Sequence, residues 1–425
     1  MSSPAPQTPQ LAAWIGIDWA DQHHDIALRE TGSDRVEHAR IKSTPEALAT
    51  WLAELRSRFG GKPVGVGLEQ SRGALIHALL EHEFIVLYPI NPATLERFRK
   101  AFFSSGAKSD PEDAGLLLEL LEKHSHRLHA WRPDDPDTRS LVRLVEARRK
   151  AVNQRTQLVQ RLTAELKGYF PQALDWAGED LTSAMAVAFL RRWPTLQAVR
   201  RARPETLRRF YSQHHCRSVD LINARLKQIR TAVPLVTDRG IVEPSVLTVR
   251  MLVGQLEALS AGVEAYDTRI RELFAAHPDA DLFKCLPGSG AALAPRLLAA
   301  FGADRARFGS AAQVQQYSGI APVTEASGKS RWVHRRWAAP KFLRQTFHEF
   351  AGHSIRSSVW ARAYYEQMRR RGKGHHAAVR ALAFKWIRIL WRCWQDRTPY
   401  DEKQYIQALR KRGSPLVELL PALAT

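Results

Sequence analysis

The stretch Ala107-Lys108-Ser109-Asp110-Pro111-Glu112-Asp113-Ala114 carries two carboxylates, Asp110 and Asp113, spaced three residues apart. This spacing places both side chains on one face of a helix. The same residues also make a favourable helix start, with Ser109 as the cap, a proline in the first turn and acidic residues beside it. Taken alone, the stretch therefore has two interpretations, a pair of metal ligands and a helix N-terminus.

Two apolar runs upstream each end in one carboxylate. Ile15-Gly16-Ile17-Asp18 and Gly67-Leu68-Glu69 have the composition of buried strands that deliver an acid to a sheet edge. Asp18 could instead open a turn, and Glu69 could lie at a solvated edge. Three elements that end in acids within the first domain-sized segment favour one shared metal site. Four carboxylates could hold two Mg²⁺ ions, which is the acid layout of RNase H-like nucleases.

The order of elements around these acids supports the same fold. Between Trp14 and about His129 we expect a hairpin, a third strand, and then strands that alternate with helices. Three leading strands followed by strand–helix alternation predict an RNase H-like mixed sheet. The expected fold class is thus α/β for this segment and all-α for the remainder, which has a long helical middle and a mainly helical C-terminal domain.

A linker at Pro133-Asp134-Asp135-Pro136-Asp137 precedes a predicted helix of about 30 residues, Thr138 to Tyr169. This helix carries an apolar stripe that is close to a coiled-coil seam but irregular. The stripe could pair with a helix of its own chain, most simply the one from Val246 to Phe274, or with another subunit. We predict at least a dimer through residues 138–170, because the stripe exposes more apolar surface than one lone helix could leave in water; a homodimer or homotetramer is expected.

Charge indicates a polyanionic partner. The chain has 63 Lys and Arg against 43 Asp and Glu, a formal net charge of +20, and a pI near 10.2. From Lys329 to Arg397 there are 17 basic and 3 acidic residues, together with six of the 12 tryptophans. Basic residues among aromatics suit nucleic acid. The alternative is that the tryptophans are core residues, and the helical spacing favours it for Trp386, Trp391 and Trp394.

Three further features narrow the class of protein. Leu286-Pro287-Gly288-Ser289-Gly290 is a Gly-x-Gly turn before a helix, which can offer backbone N–H groups of Gly288 and Gly290 to a phosphate but also often simply joins two helices.

Three scattered cysteines indicate a reducing compartment, and His214-His215-Cys216 lacks a second ligand cluster. No apolar run approaches the length of a membrane span, so an intracellular protein without a membrane partner is expected.

In their order and spacing these motifs resemble one family: bacterial insertion-sequence transposases with an N-terminal DEDD domain and a C-terminal serine-bearing transposase domain, related to pilin-gene invertases. The resemblance covers nearly the whole chain and includes Tyr317-Ser318-Gly319-Ile320-Ala321-Pro322 and the following Ser327-Gly328-Lys329-Ser330. It implies that Asp18, Glu69, Asp110 and Asp113 are the metal-binding acids. It also implies that Ser327 is the nucleophile, in a bacterial cytoplasmic, nucleoid-associated protein.

The resemblance implies more about partners than the residues do by themselves. It implies donor and target DNA, Mg²⁺, and a structured guide RNA, which the basic surface permits. Lys329 and Arg331 could stabilise charge on the reacting phosphate. The stretch from Val333 to Arg344 departs from the family pattern and leaves Ser330 as a rival nucleophile. The candidate nucleic-acid contacts are Lys329, Arg331, Arg335, Arg336, Lys341, Arg344, Gly288 and Gly290.

These observations divide the chain into a disordered lead (1–12), an RNase H-like DEDD domain (13–130), a helical coiled-coil oligomerisation region (137–280), a serine-bearing transposase domain (281–400) and a C-terminal tail (401–425). The expected activity is Mg²⁺-dependent DNA cleavage and exchange through a covalent phosphoserine. One alternative is an RNase H-like nuclease or junction resolvase that uses water, with no serine nucleophile. Another is a non-catalytic nucleic-acid-binding protein whose acids are helix caps.

Overall fold

The computed structural model describes residues 10–69, 73–102, 110–128, 130–328 and 330–420, without the side chains of Phe102 and Asp110. These residues form two compact units, and the boundary between the units falls between Asp134 and Asp135, inside the predicted linker. The four candidate acids belong to the first unit, and the candidate serines belong to the second.

The first unit is built on a mixed sheet, as the sequence predicted. Its strands are β1 (Ala13–Trp19), β2 (His23–Glu30), β3 (Val36–Lys42), β4 (Val64–Leu68) and β5 (Ile85–Pro89). The strand order is β3-β2-β1-β4-β5. The first three strands pair antiparallel, whereas β4 runs parallel to β1 and β5 runs parallel to β4. The prediction of a mixed sheet with RNase H-like element order is confirmed.

Helices cover this sheet and begin where the sequence places their signals. The Thr44 hydroxyl accepts a hydrogen bond from the Ala47 backbone N–H at 3.3 Å and caps the first helix. Trp51 and Leu52 of that helix pack against buried residues of the sheet. The helices are α1 (Pro45–Arg58), α2 (Ala74–Leu79), α3 (Pro92–Phe102) and α4 (Asp110–His124).

Helix α4 lies directly on β1 because β1 has a glycine at the crossing point. A Cβ atom built on Gly16 would lie 2.1 Å from the Ala114 carbonyl oxygen and 2.5 Å from the Leu118 backbone nitrogen. On the neighbouring strand, a Cβ on Gly67 would lie 3.4 Å from the Leu117 carbonyl oxygen. Only glycine allows a helix backbone to approach a strand backbone this closely.

The second unit is helical apart from one hairpin, as the expected fold class required. The hairpin is formed by β6 (Val323–Ser327) and β7 (Ser330–His334). The helices are α5 (Pro136–Tyr169), α6 (Ala173–Trp176), α7 (Ala184–Arg192), α8 (Leu196–Arg200), α9 (Pro204–Gln213), α10 (Val219–Thr231), α11 (Arg239–Ala276), α12 (Ala280–Lys284), α13 (Gly290–Phe301), α14 (Ala311–Tyr317), α15 (Lys341–Ser357), α16 (Val359–Arg370), α17 (His375–Gln395) and α18 (Glu402–Lys411).

The long helix α5 packs against α11 of the same chain, the simpler of the two pairings considered from the sequence. An ion pair between Arg148 and Asp267 joins the two helices. Leu141 is buried in one core and Leu162 in another, and the rest of the stripe is at least partly buried. The stripe is therefore covered within its own chain, and the dimer through residues 138–170 stays a prediction.

By length and composition, α11 is the one helix among the described residues that could cross a membrane. Its Leu252, Val253 and Leu256 instead pack in the core that α5 also enters.

Aromatic residues of the basic segment belong to one of the two cores of the second unit. Trp386 and Trp394 are fully buried, and Trp391 is partly buried with its indole N–H donating to the Phe308 carbonyl at 3.0 Å. The core interpretation of these three tryptophans is confirmed. Ile406 and Leu409 of α18 pack in the same core, so most of the predicted tail is folded.

Candidate active site

Two neighbouring strands bring Asp18 and Glu69 to the same edge of the sheet. In the parallel pair β1–β4, Ile17 is in register with Leu68, and each candidate acid directly follows one of these residues. Because side chains alternate along a strand, Asp18 faces the same side as Gly16. That side is covered by α4. The Asp18 carboxylate therefore projects toward the helix that carries the other two acids, and Glu69 directly follows the adjacent strand.

Asp113 lies in the first turn of α4, one residue before the contact with Gly16. Its side chain is only 5% exposed and forms an ion pair with Arg99 of α3. The backbone of Asp110 begins the helix, whereas its side chain and Ser109 lie outside the described residues. The structure thus brings Asp18, Glu69 and Asp113 to one end of the sheet.

The carboxylates at this edge have the donor atoms that a hard cation such as Mg²⁺ prefers. Within the described ranges, however, no group of three His, Cys, Asp or Glu side chains is close enough to hold a metal ion. The Asp113 carboxylate already accepts a hydrogen bond from the Arg99 guanidinium. The donor type and the strand positions fit a divalent cation, and the ion pair at Asp113 is the feature that would have to open.

The second candidate site is the tip of the β6–β7 hairpin. Ser327 and Ser330 form its last cross-strand pair, and both side chains are exposed. A two-residue loop joins them, with Gly328 at a φ of 55°, a conformation that favours glycine. Lys329 of this loop lies outside the described residues. The two rival nucleophiles are therefore neighbours at one tip.

The imidazole of His334 stands at the base of the same hairpin. Its Nε2 lies 2.9 Å from Glu325 Oε1, and its Nδ1 lies 3.0 Å from the Arg335 carbonyl oxygen. Both partners are acceptors, so the ring donates from both nitrogens when it is protonated. The hydrogen bond with Glu325 raises the pKa of His334 above its ordinary value. His334 is therefore suited to fix the hairpin as a cation and not to act as a base for serine.

Exposed cations and aromatic rings surround the hairpin. Arg331 and Trp332 lie on its solvent-facing surface, and Trp332 is 62% exposed. The Arg335 guanidinium stacks over Trp337, which is 73% exposed, at 5.3 Å from the ring centroid. These two tryptophans, unlike those of the core, are available to pack against a base or a sugar. Lys341 and Arg344 follow in the first turn of α15.

The glycine turn before α13 has a structural role that the sequence did not reveal. Gly288 has a φ of 78°, and a Cβ there would lie 2.9 Å from the His353 carbonyl carbon of α15. Close packing of two backbones therefore accounts for Gly288. Gly290 has a φ of 53°, begins α13 and is exposed, and a Cβ at this position would meet no described atom within 4 Å. The phosphate contact expected at these glycines stays a prediction.

Two arginines that the sequence analysis missed belong to these sites. Arg99 binds Asp113, and Arg380 of α17 lines a cavity with Arg335 and Arg336. No local signal separated Arg380 from Arg388, since each follows a buried apolar residue of the same helix. No local signal pointed to Arg99, since helix α3 carries several basic residues of similar spacing.

Two protein-family models match this chain. The first is a transposase model, the DEDD domain of IS110 type, and it matches residues 15–171. The second is described as the transposase IS116/IS110/IS902 family and matches residues 280–366. Together they cover more than half of the chain, and they include the acid edge and the serine hairpin.

Three curated relatives match over nearly their whole length. The candidate transposase of the IS117 mini-circle from Streptomyces coelicolor is 29% identical over 93% of this chain and 96% of its own. A 42 kDa protein of insertion element IS900 from Mycobacterium paratuberculosis is 27% identical over 91% and 96%. A 43.6 kDa protein of insertion element IS110 from Streptomyces coelicolor is 25% identical over 93% and 97%. With both family models in sequence order and relatives of matching length, the chain belongs to the IS110 family of insertion-sequence transposases.

Proposed function

We propose that this transposase cuts and exchanges DNA strands through a covalent phosphoserine at Ser327. The observation that carries the proposal is the exposed hairpin tip, where Ser327 is held beside Ser330 in the most basic segment of the chain. An exposed hydroxyl on a short, regular hairpin can reach a phosphate inside a duplex or a junction. Arg331, Trp332 and the stacked Arg335–Trp337 pair offer contacts to the surrounding strand.

The proposed step conserves the phosphodiester bond. Ser327 Oγ bonds to phosphorus as one strand P–O bond breaks, and the proton lost from Oγ is balanced by the proton that the leaving oxygen gains. Attack by the hydroxyl of another strand reverses the step and releases the serine. No separate energy source is required, because one phosphate ester replaces another throughout.

The acids of the first unit are proposed to bind Mg²⁺. Asp18, Glu69 and Asp113 supply hard oxygen donors from one sheet edge, and Asp110 would complete the set. A bound ion there would lower the charge on a reacting phosphate and favour ionisation of an attacking hydroxyl. The residues of this chain orient the site: β1 and β4 fix Asp18 and Glu69, and α4 fixes Asp113 against β1.

Partners and assembly extend the proposal. We place the protein in the bacterial cytoplasm, where it binds donor and target DNA and a structured guide RNA; the net charge of +20 supports polyanionic partners. The active assembly is a homodimer or homotetramer, because exchange between two duplexes requires more than one nucleophile. Light scattering of the protein alone and with nucleic acid tests the assembly, and a monomer under both conditions would contradict it.

A second function, hydrolysis by an RNase H-like nuclease or resolvase, is favoured by one observation. Ser327 is exposed, and the nearest imidazole on its hairpin is held as a hydrogen-bond donor to Glu325. A serine without a neighbouring base is a weak nucleophile. Water would then attack the phosphate, and the hairpin would serve only to bind DNA.

Covalent trapping separates the two functions. The full-length protein is incubated with Mg²⁺, RNA transcribed from the insertion element and a DNA fragment carrying the ends of that element, then denatured, digested and mapped by mass spectrometry. The expected adduct is a phosphopeptide at Ser327 that is absent from Ser327→Ala and retained by the matched variant Ser330→Ala. An adduct at Ser330 would identify Ser330, on β7, as the nucleophile in place of Ser327. Cleavage by Ser327→Ala without an adduct would support hydrolysis instead.

A further inference from the structure

A small cavity lies at the base of the β6–β7 hairpin, at the end opposite Ser327. Its walls include Gly319, His334, Arg335, Arg336 and Arg380, and its volume is about 190 Å³. Small-molecule pockets usually measure about 300–1,000 Å³. The cavity is therefore sized for a compact group, such as a phosphate, and not for a complete nucleotide.

The walls of the cavity concentrate positive charge. Arg335, Arg336 and Arg380 line it, and Arg344 reaches the same place by donating to the Arg336 carbonyl oxygen at 3.4 Å. Burial and the neighbouring Arg335 both lower the pKa of Arg344 and of Arg380. These arginines come from three elements, the loop after β7, α15 and α17, so the fold itself assembles them against their mutual repulsion.

No anion of the described chain neutralises this cluster. None of the four arginines forms an ion pair with a described residue, and the two acids nearest in sequence are already engaged. Glu325 binds His334, whereas Glu349 binds Arg149 and Arg296. The Nε of Arg336 is buried without a hydrogen-bond partner. A buried cationic donor that lacks an acceptor is unfavourable, and an anion in the cavity would satisfy it.

The backbone on one side of the cavity is shaped for a close approach. Gly319 has a φ of 71°, and a Cβ on it would lie 2.5 Å from the Ala339 Cβ. Glycine therefore lets the segment that enters β6 pack against the segment that leaves β7. This contact fixes the distance between the glycine wall and the wall formed by Arg335 and Arg336.

We propose that this cavity binds one phosphodiester of the DNA strand that Ser327 attacks. Arginine is suited to the task because its planar fork donates two parallel hydrogen bonds to phosphate oxygens. From His334 to Ser330 the strand spans about 13 Å at about 3.3 Å per residue. The bound phosphate and the attacked phosphate are thus separate groups of the same strand. That the phosphate belongs to the strand attacked by Ser327 rests on the proposed function. That the cavity binds a phosphate does not depend on it.

Salt dependence of binding tests the cavity. Fluorescence anisotropy with full-length protein and labelled oligodeoxythymidine gives the slope of log K against log salt concentration. Loss of one phosphate contact in Arg380→Gln should reduce that slope by about 0.7. Arg388→Gln is the matched control, because it removes the same charge from an exposed position of the same helix and should leave the slope unchanged. Equal slopes for the two variants would overturn the proposal.

A stability measurement excludes a purely structural role for Arg380. In buffer without phosphate, Arg380→Gln should have a Tm equal to or above that of the wild type, because it relieves repulsion. Inorganic phosphate should raise the Tm of the wild type and not that of Arg380→Gln. An Arg380→Gln protein that melts at a lower temperature than the wild type and is still stabilised by phosphate would overturn the proposal. In the anisotropy experiment, a change of salt slope seen with oligouridine but not with oligodeoxythymidine would also overturn it.

The phosphate site and the proposed function fail separately. Ser327→Ala should keep the wild-type salt slope, since its hydroxyl is not part of the cavity. Exchange activity in that variant would refute the serine mechanism and leave the phosphate site standing. Conversely, an unchanged slope in Arg380→Gln would refute the phosphate site while an adduct at Ser327 still formed.

Discussion

The acid edge and the serine hairpin hold their functional groups in opposite ways. At the acid edge, Asp18 and Asp113 are fixed by main-chain contact between a strand and a helix, and the Asp113 side chain is almost fully buried. At the hairpin, Ser327 is exposed at the tip of two short strands and is surrounded by cations. A metal site requires a rigid set of oxygens, whereas a nucleophile that joins a large polymer must be reachable.

The largest expected effect comes from removing a charge at the acid edge. Asp18→Asn should reduce Mg²⁺-dependent DNA cleavage by about 1,000-fold or more while the protein stays folded, because a neutral amide is a poor ligand for a hard cation. Gel-based cleavage assays and circular dichroism measure the two properties. The matched control is Asp21→Asn, an exposed acid in the turn after β1, which should cleave normally. Equal loss in both variants, or none in either, would contradict a metal role for Asp18.

A next, smaller effect tests the rigidity of the acid edge. Gly16→Ala should lower the free energy of unfolding by about 3 kcal/mol, because its Cβ would overlap the Ala114 carbonyl oxygen. Gly115→Ala on α4 is the control: nothing lies within 4 Å of its Cβ, and alanine should stabilise the helix by about 0.5–1 kcal/mol. Chemical denaturation measures both. A harmless Gly16→Ala would show that α4 can lift from β1.

Arg99→Gln should lower folding stability by a smaller amount, and added Mg²⁺ should offset part of that loss. The change leaves the buried Asp113 carboxylate without its cation and should cost roughly 2 kcal/mol, moderated because Arg99 is partly exposed. Mg²⁺ should then raise the Tm of this variant more than that of the wild type, since the ion no longer competes with arginine. Arg97→Gln, an exposed arginine of the same helix, serves as control. An Mg²⁺ response that is equal in all three proteins would separate Asp113 from metal binding.

The smallest expected effect is a loss of stability of the β6–β7 hairpin as pH rises. Glu325 raises the pKa of His334 in the folded protein, so the ion pair contributes fully below the ordinary value of 6.5 and is lost as pH rises through the raised value. Amide exchange across residues 323–334 should therefore accelerate as pH rises through that value, beyond its intrinsic pH dependence. Glu325→Gln should remove the extra acceleration and return the His334 titration, followed by NMR, toward 6.5. A His334 titration unchanged by Glu325→Gln would contradict the contact.

Local sequence signals predicted the first unit well. Apolar strands that end in acids, the Thr44 cap and the prolines at helix starts are short-range features, and they located β1, β4, α1 and α4. The partner of the α5 stripe was only one of two alternatives, because an apolar face indicates burial and does not identify the surface that buries it. The structure places that surface on α11.

Contacts between distant residues were beyond the sequence. Arg380 joins Arg335 only because α17 packs beside the hairpin, and no spacing rule links positions so far apart. Trp332 and Trp386 lie in the same basic segment, yet one is 62% exposed and the other fully buried. Composition could not separate them, whereas helical periodicity identified Trp386 as a core residue.

The direct backbone contact between Gly16 of β1 and helix α4 limits which substitutions can shift the helix. Side chains packed between a sheet and a helix usually adjust when one of them mutates, and each adjustment shifts the helix. Here main chain meets main chain, so we expect substitutions on the outer face of α4 to leave the spacing between Asp113 and Asp18 unchanged. The two proposed metal ligands can therefore keep their spacing while exposed residues of the same helix change.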